Sequence, residues 1–148
     1  MVMTLQNTDS NIRSIREDDL EEVYALLQQL SSYKPSDLEY SNIFSSFASQ
    51  NVSGLVYLVN NKIVGVAFIY FIQKIRGGLV GQIEDVAISP EFHRSGFGTD
   101  LVRELVKIAK KKNCYVVSLV TSEKNISFYE RLCFKRAEIE MRQMLVNS

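Results

Sequence analysis

The sequence predicts a mixed α/β domain with a mostly antiparallel central sheet flanked by helices, in the order β-α-α-β-β-β-α-β-α-β. The 148 residues, 46% of them hydrophobic, suit one folded domain over residues 1–148. Three strand-like segments between residues 55 and 88 are joined by short turns, which indicates antiparallel pairing. A strand, a helix and a strand then follow up to residue 120, which indicates a right-handed crossover and one parallel pair.

The first third of the chain predicts a strand and two helices. Residues 11–16 alternate weakly and form the candidate strand. Asp18, with Glu21 three residues later, has the spacing of a capping box and predicts the start of a helix over residues 18–30. A second, weaker helical spacing covers residues 36–49.

The middle of the chain predicts a three-stranded meander. Residues 55–59 and 63–72 are rich in β-branched and aromatic side chains. Asn60 and Asn61 lie between them, and asparagine tolerates the positive φ of a tight hairpin turn. A glycine turn then leads into a third strand over residues 80–88.

The last third predicts a helix, a strand, a short helix and a strand. Apolar residues recur at helical spacing over 101–109, and the lysines that follow complement the negative end of a helix dipole. Residues 115–120 form a short apolar run typical of a strand. The short helix begins at residue 122 or 125 and ends near 132, and the final strand covers residues 135–145.

The composition excludes several classes of protein. Lysine plus arginine equals aspartate plus glutamate at 17 each, which argues against nucleic acid as the main partner. Two cysteines and one histidine are too few for a four-ligand zinc site without carboxylates, so we expect reduced thiols and no metal. The longest apolar stretch, residues 63–72, is about half a membrane span, and no signal peptide is evident. We expect a cytoplasmic protein.

Residues 84–99 carry the clearest chemical signal, a strand that feeds a glycine loop and then a helix. Glycines let the backbone approach a ligand, and amides at a helix start favour phosphate. A P-loop would need lysine after Gly98, and a dinucleotide fingerprint would need a small residue at Leu101. The pyrophosphate of coenzyme A remains as the common ligand, with a simple turn as the alternative.

The loop His93-Arg94-Ser95-Gly96-Phe97-Gly98 resembles the Gln/Arg-x-x-Gly-x-Gly/Ala motif of the GNAT acetyltransferases, with histidine at its first position. Residues 81–86 and 122–130 resemble two phrases of the glucosamine-6-phosphate N-acetyltransferases, Gly-His-Ile-Glu-Asp-Val and Glu-Lys-Asn-x-x-Phe-Tyr-Glu-Lys. Val120 stands where those enzymes typically have a carboxylate. Met144 stands where they have an arginine, although Arg142 is close by.

The resemblance implies acetyl-CoA as co-substrate, with its pantetheine arm paired to the backbone of residues 86–88. That pairing requires this strand to separate from residues 115–120. A backbone N–H near Val86 would then face the thioester oxygen. The implied coenzyme contacts are Val86, Ala87, Ile88, Arg94, Ser95, Gly96, Phe97, Gly98, Thr99, Asn125, Phe128, Tyr129 and Arg131.

The resemblance also implies catalytic roles. Tyr129 is the candidate general acid for the leaving thiolate, with a merely structural core tyrosine as the alternative. Glu84 and Asp85 are candidates beside the acceptor amine. Because they are adjacent on a strand, we expect them to point to opposite faces of the sheet. Further candidates are the acceptor contacts Lys74, Arg76 and Arg142, with His93 interpreted as a loop residue and Cys133 as an alternative covalent acetyl carrier.

The implied reaction is direct acetyl transfer from acetyl-CoA to a small-molecule amine, glucosamine 6-phosphate, which would feed UDP-N-acetylglucosamine synthesis. The alternatives are another small amine, a protein N-terminus, or a coenzyme A-binding module without catalysis. The resemblance further implies a homodimer that shares the acceptor site, with residues 139–146 at the contact.

Overall fold

The computed structural model describes residues 11–146, which form a five-stranded sheet in the order β1-β2-β3-β4-β5. The first three pairings are antiparallel, and β4 and β5 are parallel. The predicted mixed α/β sheet is therefore confirmed. The strands are β1 (Ile12–Ser14), β2 (Val52–Val59), β3 (Lys62–Gln73), β4 (Leu79–Ile88) and β5 (Cys114–Leu119).

The predicted asparagine hairpin joins β2 to β3. Asn60 and Asn61 have φ values of 50° and 61°, which match a turn with two left-handed residues. This turn fixes the register in which Val56 pairs with Val66. Both of these valines are fully buried, so the hairpin supplies the centre of the core.

Helices cover both faces of the sheet. On one face, α1 (Leu20–Leu27) and α2 (Tyr40–Ala48) pack against a cluster that includes Phe68. On the other face, α3 (Phe97–Lys111) buries Leu101 and Leu105 against Ile69 and Ile83. A fourth, five-residue helix, α4 (Ile126–Glu130), packs at the edge of that second cluster. None of the helices in residues 11–146 is long and apolar enough to cross a membrane.

The start of α1 differs from its prediction, because Asp19 and not Asp18 closes the capping interaction. The Asp19 carboxylate accepts a hydrogen bond of 2.7 Å from the Arg16 backbone N–H. It also accepts bonds of 2.7 and 2.9 Å from the Arg13 guanidinium. The hydrogen bond from Arg13 is the main cause that lowers the pKa of Asp19, so this buried carboxylate is ionised and paired.

The predicted final strand is absent from the described part of the chain, where residues 134–145 have no regular secondary structure. In the sheet, β5 has β4 as its only neighbour, so its outer edge is open. Ile139, Met141 and Leu145 are almost fully exposed, at 89%, 90% and 87%. The prediction of a final strand was wrong, because this segment pairs with no strand in the part of the chain that the structure describes.

Candidate active site

The site forms where β4 and β5 separate. The two strands pair from Leu79 and Cys114 as far as Ile83 and Leu119. Beyond this point β4 continues to Ile88, and among the described residues it pairs only with β3. The edge of residues 84–88 that would face β5 is thus open to an extended ligand, which can bind there as an added strand would. The pairing of β4 with β5 thus ends before residues 84–88, as the implied pairing with the coenzyme arm requires.

A bulge in β4 corrects the expected orientation of the two adjacent carboxylates. Val66 pairs with Ala87 and Phe68 pairs with Glu84, so β4 has one extra residue opposite β3. Asp85 lies in this bulge with φ of +53°. The alternation of side chains is broken there, and Glu84 and Asp85 line the same cavity.

This cavity has a volume of about 510 Å³ and lies on the face of the sheet that carries α2. Phe47 of α2 contacts the rings of Phe68 and Tyr70, the cross-strand neighbours of Glu84 and Gln82. Six of the eight lining side chains carry a polar group, and the volume suits a small hydroxylated molecule. The lining residues are Gln50, Asn51, Tyr70, Phe71, Ile72, Gln82, Glu84 and Asp85.

Both carboxylates in the cavity have a raised pKa. Desolvation is the largest cause for Glu84, and the negative charge of Asp85 adds to it. Desolvation also raises the pKa of Asp85. Burial, followed by the charges of Asp85 and Glu84, raises the pKa of the Tyr70 hydroxyl. A carboxylate with a raised pKa holds a proton better than a free one, so these groups are better bases than ordinary side-chain carboxylates.

The glycine loop lies beyond the end of β4. Gly96 has φ of +88° and directly precedes α3, and a Cβ there would meet nothing within 4 Å. The Phe97 ring stacks on Tyr57 with centroids 4.1 Å apart, so its side chain anchors the loop in the core. The Ser95 hydroxyl donates to the Phe92 carbonyl at 2.6 Å. In the first turn of α3, the Phe97 N–H bonds to Ser95 Oγ at 3.4 Å and the Asp100 N–H bonds to the Gly96 carbonyl at 3.1 Å, which leaves the amides of Gly98 and Thr99 for a ligand.

The carbonyl of Ile88, at the end of β4, is held by two side chains. Gln29, just beyond α1, donates to it at 2.9 Å, and His93 Nε2 lies 2.8 Å away. Because a carbonyl only accepts, Nε2 carries the proton in this contact. The only histidine in the chain thus braces the loop through the backbone.

The helix α4 brings aromatic side chains to the start of α3. A Cβ added at Gly98 would lie 3.4 Å from Phe128 Cζ, so this ring closes over the loop. Tyr129 is in edge contact with Phe128 and with Phe134, at centroid distances of 4.9 and 5.8 Å. Burial raises the pKa of Tyr129, which keeps its hydroxyl protonated. Asn125 and Arg131 flank α4 and are exposed, as is Arg94 in the loop.

The structure does not bring every predicted residue to this site. Lys74 and Arg76 lie in the turn between β3 and β4, five or more residues along the chain from Glu84. At a strand rise of roughly 3.3 Å per residue, this turn is more than about 15 Å from Glu84. The Arg76 guanidinium instead approaches the Tyr115 hydroxyl at 3.5 Å. Within one chain these two cations are therefore outside the cavity.

Two charged residues of the carboxyl-terminal segment act electrostatically on Glu84. Arg142 forms an ion pair with Glu140, and both charges act on Glu84. Val120 and Met144, where the resemblance shows its departures, are 54% and 70% exposed. Cys133 is also exposed, and Cys114 is partly buried. Within residues 11–146, no three His, Cys, Asp or Glu side chains are grouped as a metal site.

Sequence reasoning missed the rest of the cavity lining, above all Gln50, Asn51, Tyr70 and Gln82. Gln82 could have been found, because it lies two residues before Glu84 and a regular strand places both on one face. Tyr70 and the Gln50–Asn51 pair had no comparable signal. They reach the cavity only through strand register and the packing of α2.

Comparisons with known proteins agree with this geometry. The Acetyltransferase (GNAT) family model matches residues 13–134. A curated glucosamine 6-phosphate N-acetyltransferase from Trypanosoma brucei brucei is 36% identical over 139 residues, which cover 90% of this chain and 95% of that protein. A crystal structure of a Trypanosoma brucei acetyltransferase has a TM-score of 0.85 at 34% identity, covering 90% of this chain and 98% of the other.

A plant structure gives the same result. The crystal structure of glucosamine-6-phosphate N-acetyltransferase from Arabidopsis thaliana has a TM-score of 0.85 at 26% identity, covering 91% of this chain and 97% of the other. The family match spans the open edge of β4, the glycine loop and α4. This chain belongs to the GNAT family of acetyltransferases.

Proposed function

We propose that this protein transfers the acetyl group of acetyl-CoA to the amine of glucosamine 6-phosphate. The observation that carries the proposal is the open edge of β4 at residues 84–88. It joins the glycine loop before α3 to a cavity lined by carboxylates, so one extended ligand and one small polar ligand can meet there. The names of the relatives from Trypanosoma and Arabidopsis support the choice of acceptor.

The residues present fit acetyl-CoA, which supplies the acetyl group as a thioester. The helix-start amides of Gly98 and Thr99 would bind the pyrophosphate, because the loop is open at Gly96. The backbone of residues 86–88 would hold the extended arm, and a backbone N–H near Val86 would stabilise the developing oxyanion. The exposed cations Arg94 and Arg131 flank this path.

The acceptor would occupy the cavity on the α2 face. Hydroxyl and amide groups from Tyr70, Gln50 and Asn51 are suited to hydrogen-bond the hydroxyls of a sugar. Glu84 would take the proton from the amine, either directly or through a water molecule, because its raised pKa makes it a stronger base. Asp85 adds negative charge that favours a cationic amine in the cavity.

The departing thiolate needs a proton from the other side of the sheet. Tyr129 packs at the edge of the cluster beneath α3, whereas Glu84 lies on the α2 face. The gap between β4 and β5 separates them. We assign the acid role to Tyr129, because its hydroxyl stays protonated and its ring contacts Phe128, which lies against the start of α3 at Gly98. Base and acid would thus act from opposite faces on one reacting centre.

We also propose that two copies associate through the carboxyl-terminal segment. The open edge of β5, the outer side of α3 and residues 134–142 border a groove of about 1540 Å³ with a largely apolar lining. Residues 139–146 expose apolar side chains beside it. Sedimentation at micromolar concentration should give a dimer. A monomer throughout that range would contradict the association.

Thiol release from acetyl-CoA tests the function. The acceptors are glucosamine 6-phosphate, glucosamine, spermidine and a peptide with a free N-terminus. Release with the sugar phosphate alone is the expected result. The departures at Val120 and Met144 from the pattern of the sugar-phosphate enzymes favour one second candidate, another small amine, and release with a different acceptor would establish it. Coenzyme binding without release for any acceptor would contradict acetyl transfer to these amines.

A further inference from the structure

We propose that Gln82, held by Ser118, is a positioning residue that orients the Glu84 carboxylate toward the acceptor. The inference deepens the proposed function, because it rests on Glu84 as the base for the amine. The three side chains come from two strands that meet just before the sheet opens. In the proposed arrangement they form a chain of hydrogen bonds from β5 into the acceptor cavity.

The first link crosses the only parallel pair of strands in the described residues. Gln82 and Ser118 are register partners in β4 and β5, one position before the last pair at Ile83 and Leu119. The Ser118 hydroxyl donates to Gln82 Oε1 at 2.7 Å. Both side chains are partly buried, so water competes weakly for this bond.

The second link follows from the first. With Oε1 occupied by the serine hydroxyl, the Nε2 hydrogens of Gln82 are left for another acceptor. Glu84 lies two residues along the same strand, on the same face, and lines the same cavity. The Gln82 side chain stabilises the charged form of Glu84 and lowers its pKa, which is the effect of an amide N–H that donates to a carboxylate.

Other charged groups around Glu84 make this donor important. Asp85 on β4 and Glu140 on the carboxyl-terminal segment raise the pKa of Glu84, in addition to desolvation, and Arg142 lowers it. From β3, the Tyr70 hydroxyl faces both carboxylates. The arginine is already paired with Glu140. Gln82 is therefore a neutral, braced donor that opposes these effects from within the sheet.

The proposed hydrogen bonds matter because of the role of Glu84 as a base. Glu84 must be ionised to accept a proton from the amine, and its carboxylate must point into the cavity. Without the amide, the pKa of Glu84 rises further and its side chain loses an orienting contact. The acidic limb of the rate profile should then move to higher pH, and turnover should fall even where Glu84 is ionised.

The experiment measures kcat and kcat/KM for the sugar phosphate from pH 5 to 9 in Gln82→Leu and Ser118→Ala. We expect Gln82→Leu to lower kcat about tenfold, the effect of losing roughly 1.4 kcal/mol in the transition state, and to move the acidic limb upward. Ser118→Ala should act in the same direction and less strongly. The KM for acetyl-CoA should stay unchanged, because that ligand lies along the other edge.

Two further variants separate positioning from structure. Gln82→His restores an N–H donor and should recover most of kcat above pH 8, where imidazole is neutral. Gln73→Leu removes a comparable amide, which bonds to the carbonyls of Lys74 and Gly78 at the far end of the sheet. It should leave the profile unchanged. Equal losses in Gln73→Leu and Gln82→Leu, or a Gln82→Leu profile identical to that of the parent, would overturn the proposal.

A measurement that does not depend on enzymatic turnover tests this proposal separately from the proposed function. Carbon-13 NMR titration follows the Glu84 carboxyl, assigned by its loss in Glu84→Gln. Gln82→Leu should raise the observed pKa, and an unchanged value would overturn the link whatever the activity. If the protein releases thiol but Glu84→Gln keeps full kcat, the positioning role fails while acetyl transfer stands.

Discussion

The two ends of the open β4 edge are built in different ways. The proposed coenzyme end is made largely of backbone, namely a residue with positive φ, a helix start and a strand edge, and it is continuous in sequence over residues 84–99. The proposed acceptor cavity is made of side chains that come from residues 50–51, 70–72, 82 and 84–85. A local motif is enough for the first, whereas the second exists only after β3, β4 and α2 have assembled.

This contrast predicts how each region tolerates substitution. Backbone geometry is insensitive to most side-chain changes and sensitive to changes at a glycine. A cavity lined by side chains responds to the loss of single polar groups, and it can change specificity without loss of the fold. The reaction would take place where the coenzyme end and the acceptor cavity meet, and it depends on both. Loss of a catalytic group there should therefore lower the activity most.

Tyr129→Phe should give that largest effect. The change removes the proposed acid and keeps the ring contacts with Phe128 and Phe134. We expect kcat to fall about 100-fold or more, within the usual range for a general acid, while the dissociation constant of coenzyme A stays the same. Stopped-time thiol assays and calorimetry measure the two quantities.

The pH dependence of the parent and of Tyr129→Phe tests whether Tyr129 is the general acid. A tyrosine donates only while protonated, and burial raises the pKa of Tyr129 above its ordinary value of about 10. Activity of the parent should therefore persist to at least about that pH and fall above it. The residual activity of Tyr129→Phe should lack this alkaline limb. An unchanged kcat in the variant would contradict the acid role.

The sequence predicts the local backbone features of the fold better than it predicts the lining of the acceptor cavity. The Asn60–Asn61 hairpin and the loop at Gly96 have local signals, because a positive φ restricts the residue types that fit. The bulge at Asp85 has φ of +53° without a glycine, so strand alternation predicted the wrong orientation for its carboxylate. Tyr70 enters the cavity through pairing with Gln82, which depends on distant register.

Gly96→Ala should have the next largest effect, and the chain offers a matched control. Gly96 and Gly77 have φ of +88° and +104°, and a Cβ at either would meet nothing within 4 Å. Both substitutions should cost about 1–2 kcal/mol of folding stability through backbone strain alone. Only Gly96→Ala should also weaken coenzyme binding, by about tenfold, because relief of that strain turns the amides of α3.

Thermal unfolding and calorimetry with coenzyme A test this pair. Equal destabilisation with a selective loss of binding at Gly96 is the expected pattern. If both variants bind the coenzyme as the parent does, the loop before α3 is only a turn. If both lose binding equally, the effect is a general one of stability and the comparison of the two ends loses its basis.

Tyr70→Phe should give the smallest effect and the clearest contrast with Tyr129→Phe, since each change deletes one hydroxyl. The Tyr70 ring keeps its contact with Phe47, so the cavity wall stays in place. We expect the KM of the amino sugar to rise severalfold, the cost of one hydrogen bond at about 0.5–1.5 kcal/mol, with kcat and the KM of acetyl-CoA nearly unchanged.

The reason for this split lies in the position of Tyr70. Its hydroxyl lies in the cavity with Glu84 and Asp85, where the proposed function places the acceptor, so it can contact the acceptor in both ground state and transition state. Uniform binding of this kind changes KM and leaves kcat alone. A fall in kcat with constant KM would instead place Tyr70 in the chemical step, and acceptor recognition and proton transfer would then share one set of side chains.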